Sequence, residues 1–241
     1  MSRRGVLFDF DGTLVDTFPG IVEGVHRMRT RLGAPRLKDD DVRRHIGWGI
    51  RNLIGQCHPE CDSVEIPNGE PLPVAPDELE RSVALFRHEY SRILVSLSHI
   101  YAGIEPLCAW LGRENVALAV VSNKPDRFVR QIMAAVGLAD AFELVLGADT
   151  MSALKPDPAS LREAIEKLGI DSERCVMVGD SRLDIEAAKN ARIASCAVTW
   201  GLGTEADLAS VEPTTLVDST HGLADWLLEF LEPIEAPPGR A

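Results

Sequence analysis

The feature that most constrains this fold is a series of short, continuously apolar runs separated by amphipathic stretches. Continuous apolar runs, as opposed to alternating ones, are typical of parallel strands that are covered on both faces. Six runs predict strands, at residues 6–8, 116–121, 144–146, 176–178, 195–199 and, more weakly, 215–217.

Helical patterns lie between these runs. In one of them Leu161, Ala164, Ile165 and Leu168 recur at the spacing of a single helix face, and Gly169 supplies a stop. Alternation of strand and helix predicts an α/β fold, with a Rossmann-like, three-layer α/β/α core, a parallel sheet and right-handed crossovers.

One long segment interrupts the alternation. From about residue 16 to residue 98 the sequence has only helical patterns and loop, including a proline-rich stretch, 59–76, that we expect to be irregular. The segment carries three apolar stripes: Ile21, Val22, Val25, Met28 and Leu32; Val42, Ile46, Ile50, Leu53 and Ile54; and Leu79, Val83, Phe86, Tyr90, Ile93 and Leu97. We therefore expect a core domain of residues 1–16 and 99–232, an all-helical domain inserted at 17–98, and a flexible tail at 233–241.

The charge balance excludes some classes of partner. The 241 residues include 25 Lys and Arg against 37 Asp and Glu, a net charge of −12. A chain this acidic has no electrostatic reason to approach nucleic acid or an anionic membrane. No apolar stretch reaches the roughly 18 residues of a membrane span, and Asp9 interrupts the first apolar run too early for a signal peptide.

Cysteine usage indicates the compartment. Five cysteines, an odd number without a regular spacing, predict reduced thiols and a cytoplasmic protein. Cys57, His58 and Cys61 bring three possible zinc ligands together, but no second ligand cluster follows, so we expect ordinary thiols there.

Polar residues follow the predicted strands. Asp9 and Asp11 come directly after the first strand, and both side chains point the same way if the strand continues. Two adjacent carboxylates repel, so they need a cation or a shared proton. Gly12 permits a turn whose backbone N–H groups suit an anion.

The other strand ends add to this set. Ser122 and Asn123, Lys155, and the pair Asp180 and Asp184 follow later strands, and the carboxyl ends of parallel strands share one edge of the sheet. A hard cation such as Mg²⁺ resolves the carboxylate repulsion, and hydroxyls and a lysine then suit a phosphate. Taken singly, each motif is also consistent with a plain turn, a helix cap or a solvated charge.

Together these motifs resemble the haloacid dehalogenase superfamily, in its phosphoglycolate phosphatase-like branch with a helical cap. The motifs are Asp9-Phe-Asp11-Gly-Thr13, Ser122-Asn123, Lys155-Pro156, and Gly179-Asp180-Ser181 with Asp184. The resemblance covers nearly the whole chain.

The resemblance implies roles in catalysis. Asp9 is the expected nucleophile, which accepts the phosphoryl group as an aspartyl-phosphate. Asp11 is the expected general acid and then general base, supported by Thr13. Ser122 and Lys155 are expected to hold the transferring phosphate.

It also implies a metal site and a substrate site. Mg²⁺ is expected on Asp9, the backbone carbonyl of Asp11 and Asp180, with Asp184 in an outer shell. Gly12 and Asn123 are predicted to bind substrate.

The inserted segment resembles the family's cap, which closes over the site. Trp48, Gly49 and Arg51 lie in what resembles its substrate-specificity loop, and Arg51 or Arg44 is expected to meet a substrate carboxylate. The alternative is that Trp48 only packs within the insert and the arginines are solvated.

The expected function is Mg²⁺-dependent hydrolysis of a small phosphomonoester, with phosphoglycolate the best single substrate, by a monomer or homodimer. The acid at Asp11 argues against dehalogenase chemistry, and the insert's single lysine, Lys38, sits among acids and argues against a phosphonatase. A sugar phosphatase, a pyrophosphatase, a β-phosphoglucomutase-like phosphomutase, a phospho-receiver domain and an inactive binding protein remain alternatives. Arg192 stands where the family has glycine, so a positive φ there would cost about 1 kcal/mol.

Overall fold

The structure is a computed structural model that describes residues 3–62, 66–68, 70 and 73–232. Its strands are β1 (Arg3–Phe8), β2 (Val15–Asp16), β3 (His99–Ile100), β4 (Ala117–Val121), β5 (Leu144–Leu146), β6 (Ile170–Gly179), β7 (Ala194–Val198) and β8 (Thr215–Val217). Its helices are α1 (Phe18–Arg31), α2 (Asp39–Arg43), α3 (Ile50–Gln56), α4 (Pro76–Ser91), α5 (Ile104–Arg113), α6 (Asp126–Ala135), α7 (Ala159–Leu168), α8 (Arg182–Ala191), α9 (Glu205–Ser210) and α10 (Thr220–Phe230).

Six strands form one parallel sheet in the order β5-β4-β1-β6-β7-β8. Each of the six predicted runs is a strand of this sheet. Strand β6 begins earlier than predicted, because residues 171–174 are polar and partly exposed and so carry no apolar signal.

Helices cover both faces of the sheet, which confirms the three-layer core. On one face Val6, Phe8 and their neighbours pack against α5, α6 and α10. On the other face Leu7 and Met177 pack against α7 and α8. Because the second half of β1 lies inside the sheet and is buried on both faces, Val6, Leu7 and Phe8 are apolar without alternation.

Helices α1 to α4 form a helical insert between β2 and β3, which pair antiparallel with each other. The second predicted stripe is divided between α2 and α3, because Gly47 and Gly49 between them have φ values of 97° and 83°. In the third stripe Ile93 and Leu97 lie beyond the end of α4.

Two predictions fall partly or wholly outside the described residues. The tail at 233–241 lies outside them, and so do residues 63–65, 69 and 71–72 of the proline-rich loop. The described part of that loop includes a 3-10 turn at Pro59–Cys61. In the part of the chain that the structure describes, no helix is long and apolar enough to span a bilayer.

The cysteines are free and buried, as the sequence predicts. Burial raises the pKa of Cys57, Cys108, Cys175 and Cys196 to about 12. Because the thiolate is the reactive form, these buried thiols have low reactivity at neutral pH.

Arg192 has φ 63° and ψ 42°, the left-handed conformation, at the end of α8. We expect Arg192→Gly to raise the free energy of unfolding by about 1 kcal/mol, because glycine has no Cβ to strain there. Urea unfolding followed by circular dichroism measures the change. Arg87→Gly, the same replacement on the exposed side of α4, is the matched control and is expected to lower stability by about 1 kcal/mol. Equal effects of the two substitutions on the free energy of unfolding would contradict a backbone strain at Arg192.

Candidate active site

The site begins where β1 ends. Asp9 directly follows Phe8, and its backbone N–H donates to Val178 O at 2.9 Å, so the central pair of strands fixes its position. The side chain is buried, and its Oδ1 lies 2.8 Å from Lys155 Nζ. The strand does not continue through Asp11, and the two carboxylates have separate partners.

A tight turn follows Asp9. Gly12 N–H donates to Val15 O at 2.9 Å, and Gly12 has φ 88°. A Cβ at Gly12 would lie 2.2 Å from Asp180 Oδ2, so glycine is required for both conformation and space. The turn thereby brings the backbone after β1 against Asp180 at the end of β6.

Asp180 is held on both oxygens. Thr13 Oγ1 donates to Asp180 Oδ1 at 2.7 Å, and Leu202 N–H donates to Asp180 Oδ2 at 2.7 Å. Thr13 was expected to support Asp11; in the structure its hydroxyl supports Asp180 instead. The difference arises because the turn at Gly12 directs Thr13 towards β6.

Asp184 is held by the start of α8 and by Lys155. The backbone N–H and hydroxyl of Ser181 donate to Asp184 Oδ2 at 3.0 Å and 2.6 Å. Lys155 Nζ donates to Asp184 Oδ1 at 2.6 Å and to Val121 O at 2.7 Å. The helix α8 starts after Asp180, so Asp184 faces the site as a capping residue.

Asp9, Asp180 and Asp184 form a buried acidic cluster whose ligand oxygens lie within 4.8 Å of one another. Burial, and then the charges of Asp9 and Asp184, raise the pKa of Asp180 well above its ordinary value. Burial also raises the pKa of Asp184, against the lowering effect of Lys155. Burial alone would lower the pKa of Lys155, but Asp184 and Asp9 outweigh it and raise it to about 12.

The donor set of this cluster fits a metal ion. Three carboxylates against the single ammonium of Lys155 leave two negative charges without compensation in a buried site. Asp9 Oδ1 has no hydrogen bond of good geometry among the described residues, although Lys155 is near. A divalent cation with oxygen ligands balances the two charges and gives Asp9 Oδ1 a partner.

Asp11 lies outside this cluster, on the side of the helical insert. Its Oδ1 accepts from Thr17 Oγ1 at 2.5 Å and from Lys124 Nζ at 2.9 Å. Lys124 is buried, and its ammonium lies 4.9 Å from the centre of the Tyr90 ring of α4. Burial lowers the pKa of Lys124, but the charge of Asp11 outweighs it, so the net pKa is raised.

Ser122 and Asn123 follow β4 at the same edge. Ser122 N–H donates to Leu146 O at 3.0 Å. Its buried side chain lines the cavity, and its hydroxyl accepts from Lys124 N–H at 3.4 Å. Asn123, which is predicted to bind substrate, lines the cavity, and its amide donates to Gly47 O at 2.9 Å and to Lys155 O at 3.0 Å. Asn123 therefore joins the helical insert to the Lys155 loop.

The expected specificity loop divides between two places. Gly49 lines the cavity between the insert and the sheet edge, whereas Trp48 and Arg51 line a separate groove with Glu80. Arg51 pairs with Glu80 and Arg44 pairs with Asp41. Neither arginine lines the cavity, so this geometry gives no support to the prediction that Arg51 or Arg44 meets a substrate carboxylate, which stays a prediction.

The active-site cavity has a volume of about 50 Å³, room for a few water molecules. One wall is polar and comes from the sheet edge: Asp9, Asp11, Ser122, Asn123, Lys124, Lys155, Asp180 and Ser181. The wall from the helical insert is apolar apart from Tyr90 and the backbone of Gly47 and Gly49: Ile21, Ile46, Ile50, Leu53 and Phe86. The insert thus covers the polar edge and leaves little free space.

Sequence reasoning missed three residues that shape the site. Lys124 directly follows Ser122-Asn123, and that adjacency was the available signal. Thr17 lies just beyond the first motif, but its hydroxyl could also have capped α1. Trp200 Nε1 donates to Thr13 O at 3.1 Å, a contact over 187 positions that no local pattern reveals.

Comparisons with known proteins agree with this arrangement. Residues 6–198 match the family model of the haloacid dehalogenase-like hydrolases. "Phosphoglycolate phosphatase 1" of Pseudomonas aeruginosa is 34% identical over 233 residues, which cover 95% of this chain and 83% of the relative. "Phosphoglycolate phosphatase, plasmid" of Cupriavidus necator is 36% identical over 218 residues, which cover 90% of each chain.

A solved structure shows the same fold. A haloacid dehalogenase-like family hydrolase of Streptococcus pneumoniae superposes with a TM-score of 0.78 at 20% identity, over 93% of this chain and 98% of that one. The residues that match the family model, 6–198, include the turn after β1, the acidic cluster and the helical insert between β2 and β3. The chain therefore belongs to the family of haloacid dehalogenase-like hydrolases.

Proposed function

We propose that this chain is a phosphatase that hydrolyses a small phosphomonoester, with 2-phosphoglycolate its preferred substrate. The observation that carries the proposal is the pair Asp9 and Asp11, two carboxylates on one turn with separate cationic partners. Two similar relatives bear the name phosphoglycolate phosphatase, which supports the choice of substrate. The expected monomer or homodimer and the cytoplasmic location belong to the same proposal and rest on the sequence.

The separation of partners suits two different chemical roles. Asp9, beside Lys155, attacks phosphorus; the bond to the leaving oxygen breaks, and an aspartyl-phosphate forms on Asp9. Asp11 gives a proton to the leaving oxygen. Asp11 then takes a proton from water, which attacks phosphorus and releases phosphate and the free Asp9 carboxylate.

Lys155 holds Asp9 in place and reduces the repulsion between a carboxylate and a phosphate dianion. Its ammonium contacts Asp9, Asp184 and Val121 O, so three elements of the sheet edge fix its position. The buried hydroxyl of Ser122 supplies a further donor for the transferring phosphoryl oxygens.

The metal in this proposal is Mg²⁺. Asp9 and Asp180 would hold it, with the backbone carbonyl of Asp11 as the ligand that family resemblance adds. Asp184 completes the acidic cluster in the outer shell, because its two oxygens accept from Lys155 and Ser181. When bound, Mg²⁺ neutralises charge on the phosphoryl oxygens and lowers the barrier to attack by an anion. Thr13 and Ser181 orient the carboxylates through their hydrogen bonds.

The helical insert, residues 17–98 with β2 and β3 at its boundary, acts in this proposal as a cap. Its apolar wall excludes water from the sheet edge, which protects an acyl-phosphate from premature hydrolysis. The same wall has few groups that could pair with sugar hydroxyls, and this observation favours a small leaving group over a hexose.

We expect Asp9→Asn to abolish hydrolysis of 2-phosphoglycolate and of p-nitrophenyl phosphate, because an amide cannot form the aspartyl-phosphate. Asp11→Asn is expected to lower kcat by about 10²–10⁴-fold through loss of proton transfer. Steady-state kinetics measure both effects. Asp140→Asn, an exposed aspartate outside the site, is the matched control and is expected to retain full activity. Hydrolysis retained by Asp9→Asn would refute the nucleophile.

We expect EDTA to remove activity and Mg²⁺ to restore it. A saturating cation is also expected to stabilise the folded chain, by about 2.7 kcal/mol at a hundred times its Kd. Asp180→Asn is expected to lose most of this stabilisation, because it removes one of three clustered carboxylates. Thermal unfolding with and without Mg²⁺ measures the shift, with Asp140→Asn as control. An equal shift in both variants would place the cation elsewhere.

A further inference from the structure

Lys124 lines the active-site cavity, and so far its only role is that of the cationic partner of Asp11. Its side chain is 4% exposed, and its ammonium donates to Asp11 at 2.9 Å. Burying an ammonium is costly, and in the described residues the ammonium of Lys124 contacts the Asp11 carboxylate and the face of the Tyr90 ring. One carboxylate and one ring face leave the ammonium free to bind a further anion.

The ammonium of Lys124 has donors to spare. An ammonium carries three N–H groups, and Lys124 gives one to Asp11. The other cation of the cavity in the described part of the chain, Lys155, contacts Val121 O, Asp9 and Asp184 with its three. Lys124 is therefore the cavity cation that is able to bind a further anion without losing an existing contact.

Tyr90 supplies an independent observation beside Lys124. Its side chain is 1% exposed and lines the cavity, and its hydroxyl has no hydrogen-bond partner within the described residues. A buried hydroxyl without a partner is destabilising. The hydroxyl and the ammonium together form a site for a group that accepts hydrogen bonds.

The remaining insert wall offers no competing site for an anion. Its other side chains in the described residues are apolar, and Arg44 and Arg51 lie outside the cavity with acidic partners. An anionic leaving group inside this cavity would therefore meet Lys124 and Tyr90.

We propose that Lys124 and Tyr90 bind the carboxylate of the substrate's leaving group, so that the enzyme selects phosphomonoesters of short acidic alcohols. This inference rests on the proposed function and deepens it. A general acid lies about 3 Å from the leaving oxygen, and Lys124 Nζ lies 2.9 Å from Asp11 Oδ1, so the ammonium is within roughly 6 Å of that oxygen. This reach matches a carboxylate one or two carbons away from the ester oxygen.

The test compares two substrates of equal size, 2-phosphoglycolate and its neutral amide, 2-phosphoglycolamide. We expect the wild-type enzyme to have the higher kcat/KM for the acid, and Lys124→Met to lower that preference by about 10- to 100-fold, as for a lost charge-assisted hydrogen bond. Since Lys124 also contacts Asp11, both rates will fall, and the ratio of the two removes this shared effect. Lys189→Met, an exposed lysine paired with Glu212, is the matched control and keeps the wild-type ratio.

Two further variants keep the test decisive if Lys124→Met does not fold. Tyr90→Phe removes only an unpaired hydroxyl and is expected to lower the preference by about 2- to 10-fold. Lys124→Arg keeps the positive charge and is expected to retain most of the preference for the acid substrate. A wild-type ratio in Lys124→Met, or in Tyr90→Phe where Lys124→Met is unfolded, overturns the inference and leaves the proposed function intact. A wild-type enzyme that hydrolyses neither glycolyl substrate overturns the proposed substrate, and the inference with it.

Discussion

The structure depends on the contacts of one buried ammonium. Lys155 Nζ bridges Asp9, Asp184 and Val121 O, and so connects the ends of β1 and β4 with the start of α8. Without this charge, three carboxylates would meet in a buried site, which is electrostatically unfavourable. With it the ionised cluster keeps two uncompensated negative charges, which fits a divalent cation. Burial first, and then the charges of Asp9 and Asp184, raise the pKa of Asp180.

The parallel sheet brings Lys155 and the carboxylates of the cluster together. Strands β1, β4 and β6 are neighbours, so their carboxyl ends lie at one edge although they are far apart in sequence. The turn at Gly12 then separates two adjacent acids. It leaves Asp9 with Lys155 and places Asp11 with Thr17 and Lys124, so one short segment presents two carboxylates that have different partners.

The helical insert covers the polar sheet edge with an apolar wall. Its wall is apolar, and it contacts the sheet edge through Gly47 O, which accepts from Asn123. Asn123 also binds the Lys155 loop, so the position of the insert and the position of the central ammonium are connected through one amide. Another contact joins α4 to this edge: the ring of Tyr90 lies against the ammonium of Lys124, which in turn binds Asp11.

Apolar continuity and strand-end polarity are local signals, and from them the sequence predicts the parallel sheet, its six strands and the polar residues that follow them. The family resemblance also marked Arg192 as standing where the family has glycine, and in the structure Arg192 has φ 63°. The hydrogen-bond and ion-pair partners of the site residues depend on tertiary contacts. Thr13 supports Asp180 and not Asp11, Asn123 joins the helical insert to the Lys155 loop, and Arg51 pairs with Glu80 outside the cavity. These outcomes depend on distances between residues that are remote along the chain, and no periodicity or motif spacing encodes such distances.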